Sequence, residues 1–103
     1  MERFNATPVE GGVSLTLTPV LDMVVAEPLL GALRSAVGQG GNVEVDASQV
    51  ERLSTACVQI IVAASRALSA SGRNFSVSKY SDAFVAAFGD LGLYPSLMEW
   101  LTE

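Results

Sequence analysis

Three short segments of alternating polarity, "GVSLTLTP" (12–19), "NVEVD" (42–46) and "NFSVS" (74–78), are separated by longer segments whose apolar residues recur every three or four positions. A side-chain period of two belongs to a strand and one of 3.6 to a helix. Strands joined through helices need crossovers and cannot all be hairpin neighbours. This alternation therefore demands an α/β fold: a mixed β-sheet with helices packed on it. In the first strand Val13, Leu15 and Leu17 share one face, and Ser14, Thr16 and Thr18 the other. The preceding "RFNATPV" (3–9) is a weaker strand, which Pro8 confines to an edge or a strand end. Between them "EGG" (10–12) reads as a hairpin turn, because Gly11 and Gly12 tolerate positive φ.

The first helix is expected in "VVAEPLLGALRSAVGQGG" (24–41), with Ala26, Leu30, Leu33 and Val37 as its buried stripe. Pro28 falls in its first turn, where no backbone donor is needed, and Gly38, Gly40 and Gly41 stop it. "ASQVERL" (47–53) reads as a loop. The second helix follows, with a stripe of Cys57, Ile60, Ile61, Ala64 and Leu68 and a stop at Gly72. Ile60 and Ile61 should both lie against the strand that carries Val43 and Val45. "SDAFVAAFGDLG" (81–92) gives a third helix, capped by Ser81 or Asp82, with Phe84, Ala87, Phe88 and Leu91 inward. "YPSLMEWLTE" (94–103) gives a fourth, whose Tyr94, Met98 and Trp100 are expected to close the core, with service to a partner as the alternative. The order is β-β-α-β-α-β-α-α, in one domain over residues 1–103.

Composition narrows the function. There is no histidine, so the commonest general base and transition-metal ligand is missing. With one cysteine, Cys57, a zinc site is close to excluded and an internal disulfide impossible. Six basic and eleven acidic residues give a net charge of −5, and the basic ones are scattered, so nucleic acid is not an expected partner. No apolar run reaches the length of a membrane span, and "MERFNATPVEGG" (1–12) has no apolar core of a signal peptide. We expect a soluble cytoplasmic protein with no cofactor and no catalytic activity. Asp22 and Asp46 stand at strand ends, where loop capping is the common role of a carboxylate. Cys57 lies on a buried stripe, where packing is the common role of a thiol. "GQGG" (38–41) follows a helix and lacks the Lys-Ser/Thr of a phosphate loop.

The segment "RLSTACVQIIVAA" (52–64) carries two adjacent hydroxyls at the mouth of an apolar helix. A helix start leaves four backbone donors without partners, and Ser54 is placed to accept one of them. One cap suffices, so Thr55 is surplus, in the first turn and free to face outward. A phosphate there would add about −1.5 to −2 charges. The positive end of the helix dipole tolerates that charge, so the fold need not change while the surface does.

With these residues in place, "VEVDASQVERLSTACVQIIVAA" (43–64) resembles the central motif of STAS domains, the family that includes bacterial anti-sigma-factor antagonists. Asp46, Ser48 and Val50 match the "D-x-S-x-V" loop, Thr55 the phosphorylatable hydroxyl and Ala56 the small residue after it. "LTPVLDMVVAEPLLGAL" (17–33) is similar to the stretch leading into the family's first helix, and "FVAAFGDLGLYPSL" (84–97) to its C-terminal pattern. Ser54 stands where the family has an acidic residue, Cys57 where it has glycine, and Pro19 where glycine is usual. The resemblance implies a phospho-switched protein-binding module whose partner is an anti-sigma factor or serine-kinase-like regulator. Thr55 is then the phosphoacceptor, and Ser48, Ser54, Thr55, Ala56 and Gln59 the partner-binding set. Ser48, Thr55, Ala56 and Gln59 should be partly exposed together as the rim of the docking site. A constitutive adaptor of a lipid-transport ATPase or of a chemotaxis assembly, with no phosphorylation, is the alternative. An enzyme is the third and least supported class.

Overall fold

The structure, a computed structural model, describes residues 4–101. Arg3 of the expected first strand, and Thr102 and Glu103 of the expected last helix, lie outside the described residues. Four strands form the main sheet: β1 (Asn5–Val9), β2 (Gly12–Thr16), β4 (Asn42–Ala47) and β6 (Phe75–Tyr80), in the order β1-β2-β4-β6. β1 runs antiparallel to β2, and the other neighbours are parallel. Four helices, α1 (Ala26–Gly38), α2 (Thr55–Ala70), α3 (Asp82–Asp90) and α4 (Tyr94–Trp100), complete the α/β fold. The expected order holds, with one addition. β3 (Val20–Leu21) and β5 (Arg52–Leu53) form a small parallel pair outside the main sheet. Two residues are too few to show a period, so the sequence hides them.

Each strand's alternation fixes its buried face. Val13, Leu15, Val43, Val45 and Val77 are buried beneath the helices, while Ser14, Thr16, Glu44, Ser76 and Ser78 are half-exposed on the opposite face. β1 is exposed at all five residues, as an edge strand carrying Pro8 permits. The two glycines of "EGG" have different roles. Gly11 takes the positive φ of the turn, 84°. Gly12 instead permits close approach: a Cβ there would overlap the Asn42 carbonyl oxygen, where β2 and β4 begin to pair.

The helix faces are partly corrected. In α1 the fully buried residues are Leu29, Leu33 and Ala36, one position away from most of the expected stripe. Ala26, Leu30 and Val37 are only half-buried, and Leu30 and Val37 line an open cleft between α1 and α2. In α2, Cys57, Ile61, Ala64 and Leu68 are buried as expected, but Ile60 is half-buried and turned toward α1. Val58 and Val62 join the core instead.

α4 packs beside β6, and α3 packs against α4, α2 and the β5 segment. Phe88 and Trp100 meet edge to face at 5.4 Å, and Trp100 meets Phe75 of β6 at 5.0 Å. Trp100 therefore closes the core as expected, whereas Tyr94 and Met98 are half-exposed, at 50% and 52%. A helix of seven residues has one inward stripe, and Leu97 and Trp100, three apart, occupy it. Among the described residues no helix is long and apolar enough to cross a membrane.

Candidate docking site at the start of helix α2

The segment before α2 is held from two sides. The Pro19 carbonyl accepts the amides of Glu51 (2.7 Å) and Arg52 (3.1 Å), and the Leu21 carbonyl accepts that of Ser54 (2.8 Å). Pro19 serves here as an acceptor, so its missing N–H is not needed. The short β3–β5 pair lies between these bonds and fixes where α2 begins.

Ser54 is the N-cap in extended backbone, and its Oγ accepts from the Cys57 amide at 3.3 Å. Its hydroxyl is thus turned into the helix start. Thr55 follows as the first helical residue and is exposed. Ala56 is half-buried, and Gln59, one turn on, is exposed. The structure therefore brings Thr55, Ala56 and Gln59 onto one end of α2. Ser48 is also exposed but sits in a separate turn after β4. There the Asp46 carboxylate accepts both the Ser48 amide (2.9 Å) and the Ser48 hydroxyl (2.7 Å). These two bonds, the hydroxyl's first, hold the Asp46 pKa below the ordinary carboxylate value. Asp22 likewise caps its own loop, accepting from the Val24 amide at 3.0 Å.

Cys57 is fully buried, with its Sγ 3.6 Å from the Asp22 carbonyl. Burial pushes its thiol pKa up, which outweighs the Ser54 hydrogen bond, so the thiol stays protonated at neutral pH. It packs the joint between α2 and the loop ahead of α1.

Two groups of neighbours escaped the sequence reading. Thr55 lines a shallow depression with Leu53 and with Ala83, Ala86, Ala87, Asp90 and Leu91, on or just after α3. Ala87 and Leu91, expected inward with Phe84 and Phe88, are instead half-buried and 40% exposed, and both line this depression. The second group is Met23 and Val24, 71% and 74% exposed. They project from a 3₁₀ turn, Met23–Val25, that Asp22 caps and that the bonds at Leu21 and Cys57 tie to the start of α2. Val24 was expected to open the first helix and Met23 to precede it, and neither position gave a sign of facing outward. Among the described residues, no group of three or more Cys, Asp or Glu side chains is arranged to hold a metal ion.

No curated protein matches the chain by sequence. Several solved structures share its fold. The anti-sigma factor antagonist SpoIIAA in its unphosphorylated form is 19% identical, with a TM-score of 0.76 over 96% of this chain and 85% of that one. The Bacillus cell fate determinant SpoIIAA in its phosphorylated form is also 19% identical, with a TM-score of 0.73 over 96% and 88%. An anti-sigma factor antagonist from Mycobacterium paratuberculosis is 20% identical, with a TM-score of 0.75 over 90% and 80%. The family model described as "Mlab, STAS domain" matches residues 6–98, so the chain belongs to the STAS family.

Proposed function

We propose that this STAS domain is a phospho-switched regulator that binds an anti-sigma-factor or serine-kinase-like partner at the start of α2 and releases it when Thr55 is phosphorylated. One observation carries the reading: the capping and surface roles are divided between the two hydroxyls. Ser54 caps the helix, and Thr55 stands exposed in the first turn. Modifying Thr55 therefore breaks no bond that holds α2 in place.

In this reading the partner kinase supplies ATP and the base, and this chain supplies only the acceptor oxygen. A bond forms between Thr55 Oγ and the γ-phosphorus as the bond to the leaving ADP breaks, and the hydroxyl proton passes to the kinase's base. The product carries about −1.5 to −2 charges beside Asp90 and the alanine face of α3. A partner packed there must then bury unpaired charge, and it dissociates. Met23 and Val24, exposed on the turn tied to the helix start, supply apolar contact, and Gln59 a polar one. The switch operates in the cytoplasm and needs no cofactor on this chain.

The test is the intact mass of the chain purified from its native host, with and without phosphatase. The expected result is one phosphate, removed by phosphatase and absent from Thr55→Ala. That variant should fold like the parent, because the cap remains on Ser54.

A second reading is a constitutive adaptor of a lipid-transport ATPase or a chemotaxis assembly. Ser54, standing where the family's acidic residue would be, is compatible with it, and the family model described as "Mlab, STAS domain" favours it. It predicts no phosphate under any growth condition and unchanged partner binding by Thr55→Glu.

A further inference from the structure

Asp90 is the last residue of α3 and is exposed. The end of this helix is closed by backbone alone. Gly92, at a φ of 72°, donates its amide to the Gly89 carbonyl at 3.0 Å, and the Leu93 amide reaches the Phe88 carbonyl at 2.9 Å. Among the described residues, none forms an ion pair or a hydrogen bond with the Asp90 carboxylate. A carboxylate suits the start of a helix, where Asp82 already stands. At the end it meets the negative pole of the dipole, and the last turn of α3 has no basic residue to offset it. Asp90 is thus placed against the local field and secures nothing in the fold. What this corner lacks is a cation.

Asp90 also lines the depression that holds Thr55, a space of about 320 Å³, and among the described residues it is the only charge in the wall. Ala83, Ala86, Ala87 and Leu91 complete the α3 side with carbon. Together these features select an occupant. A bare metal ion would use the carboxylate and gain nothing from methyl walls. An aliphatic side chain would use the walls and bury the carboxylate unpaired. An arginine uses both: its stem lies along the methyls, and its guanidinium meets the carboxylate through two N–H groups. We propose that the depression between α2 and α3 seats an arginine of the docked partner protein, with Asp90 as the residue that selects it. The inference rests on the start of α2 being the docking site, and it holds with or without phosphorylation of Thr55. The charge count also suits the switch. One arginine balances one carboxylate, so a phosphate on Thr55 adds about −1.5 to −2 charges that the same contact leaves unmatched.

The probe is the peptide acetyl-alanyl-arginyl-alanine amide, titrated at low salt into the intact ¹⁵N-labelled chain. The control peptide carries citrulline, the uncharged isostere, in place of arginine. Amide shifts are expected at Thr55, Ala86, Asp90 and Leu91. The citrulline peptide should bind about tenfold more weakly or worse, as loss of a charge-assisted hydrogen bond requires. Asp90→Asn should remove the difference between the two peptides, and Asp82→Asn, at the other end of α3, should keep it. Because Asp90 opposes the helix dipole, Asp90→Asn should unfold in urea no earlier than the parent. Equal binding of both peptides, no shift at high-millimolar peptide, shifts confined to another face, or earlier unfolding of Asp90→Asn would overturn the proposal. So would a dimer in sedimentation that Asp90→Asn abolishes, since the arginine would then belong to a second copy. The intact-mass measurement reads Thr55 independently. A phosphate there without arginine binding sinks this inference and leaves the switch, and arginine binding without a phosphate sinks only the switch.

Discussion

Asp46 and Ser48 show how much one turn rests on a single side chain. The Ser48 hydroxyl and amide both donate to the Asp46 carboxylate and hold its pKa down. A carboxyl that binds its proton less tightly in the folded state adds stability wherever it is ionised. That contribution is complete above the unfolded value, about 3.9, and is lost as pH falls through the lower folded value. Ser48→Ala removes the hydroxyl and keeps the amide, so the Asp46 titration should move up only part of the way toward the ordinary value. Carboxyl NMR of parent and variant checks this, and identical midpoints would show that the hydroxyl does not act on Asp46. The sequence marked Asp46 as a loop-capping carboxylate at a strand end, but its pairing with the Ser48 hydroxyl came only from the structure. The exposure of Met23 and Val24 was not visible, because two apolar residues ahead of an amphipathic helix look like its first turn.

At the scale of the element, α2 separates two adjacent isoleucines that the sequence treats alike. Ile61 is fully buried, and Ile60 is half-buried on the cleft. Ile61→Ala should cost about 2–5 kcal/mol, the range for emptying a core position, whereas Ile60→Ala should cost clearly less. Urea unfolding of both variants measures the difference, and equal losses would mean that Ile60 is as buried as its neighbour. The period of α2 was legible because Cys57, Ile61, Ala64 and Leu68 recur at four, three and four. Its edge was not, since a residue at the border of the stripe is covered or open according to what lies beside it. The same ambiguity shifted the buried face of α1 to Leu29, Leu33 and Ala36.

Over the whole molecule, the far side of the core closes on one residue. Trp100, 6% exposed, joins α4 to Phe75 of β6 and Phe88 of α3. Trp100→Ala should cost about 3–5 kcal/mol and lower the unfolding midpoint of all three elements together. Set against a typical total of about 5–15 kcal/mol, that is a large share. Unfolding followed by far-ultraviolet circular dichroism measures it, and a loss below about 1 kcal/mol would mean that α4 is not needed to close the core.

Local pattern by itself determined the alternation of strands and helices, the confinement of Pro8 to an edge or a strand end, the cap at Ser54 and the surplus hydroxyl at Thr55. Each follows from the chemistry of a few adjacent residues: side-chain period, a missing proline donor, or a hydroxyl beside unpaired amides. Only the tertiary structure decided the β3–β5 pair, the meeting of Thr55 with α3, the outward turn of Met23 and Val24 and the cleft between α1 and α2. Those features join residues far apart in the chain. No local period records which helix will lie beside which, so burial at the border of a stripe is settled only when the neighbours arrive.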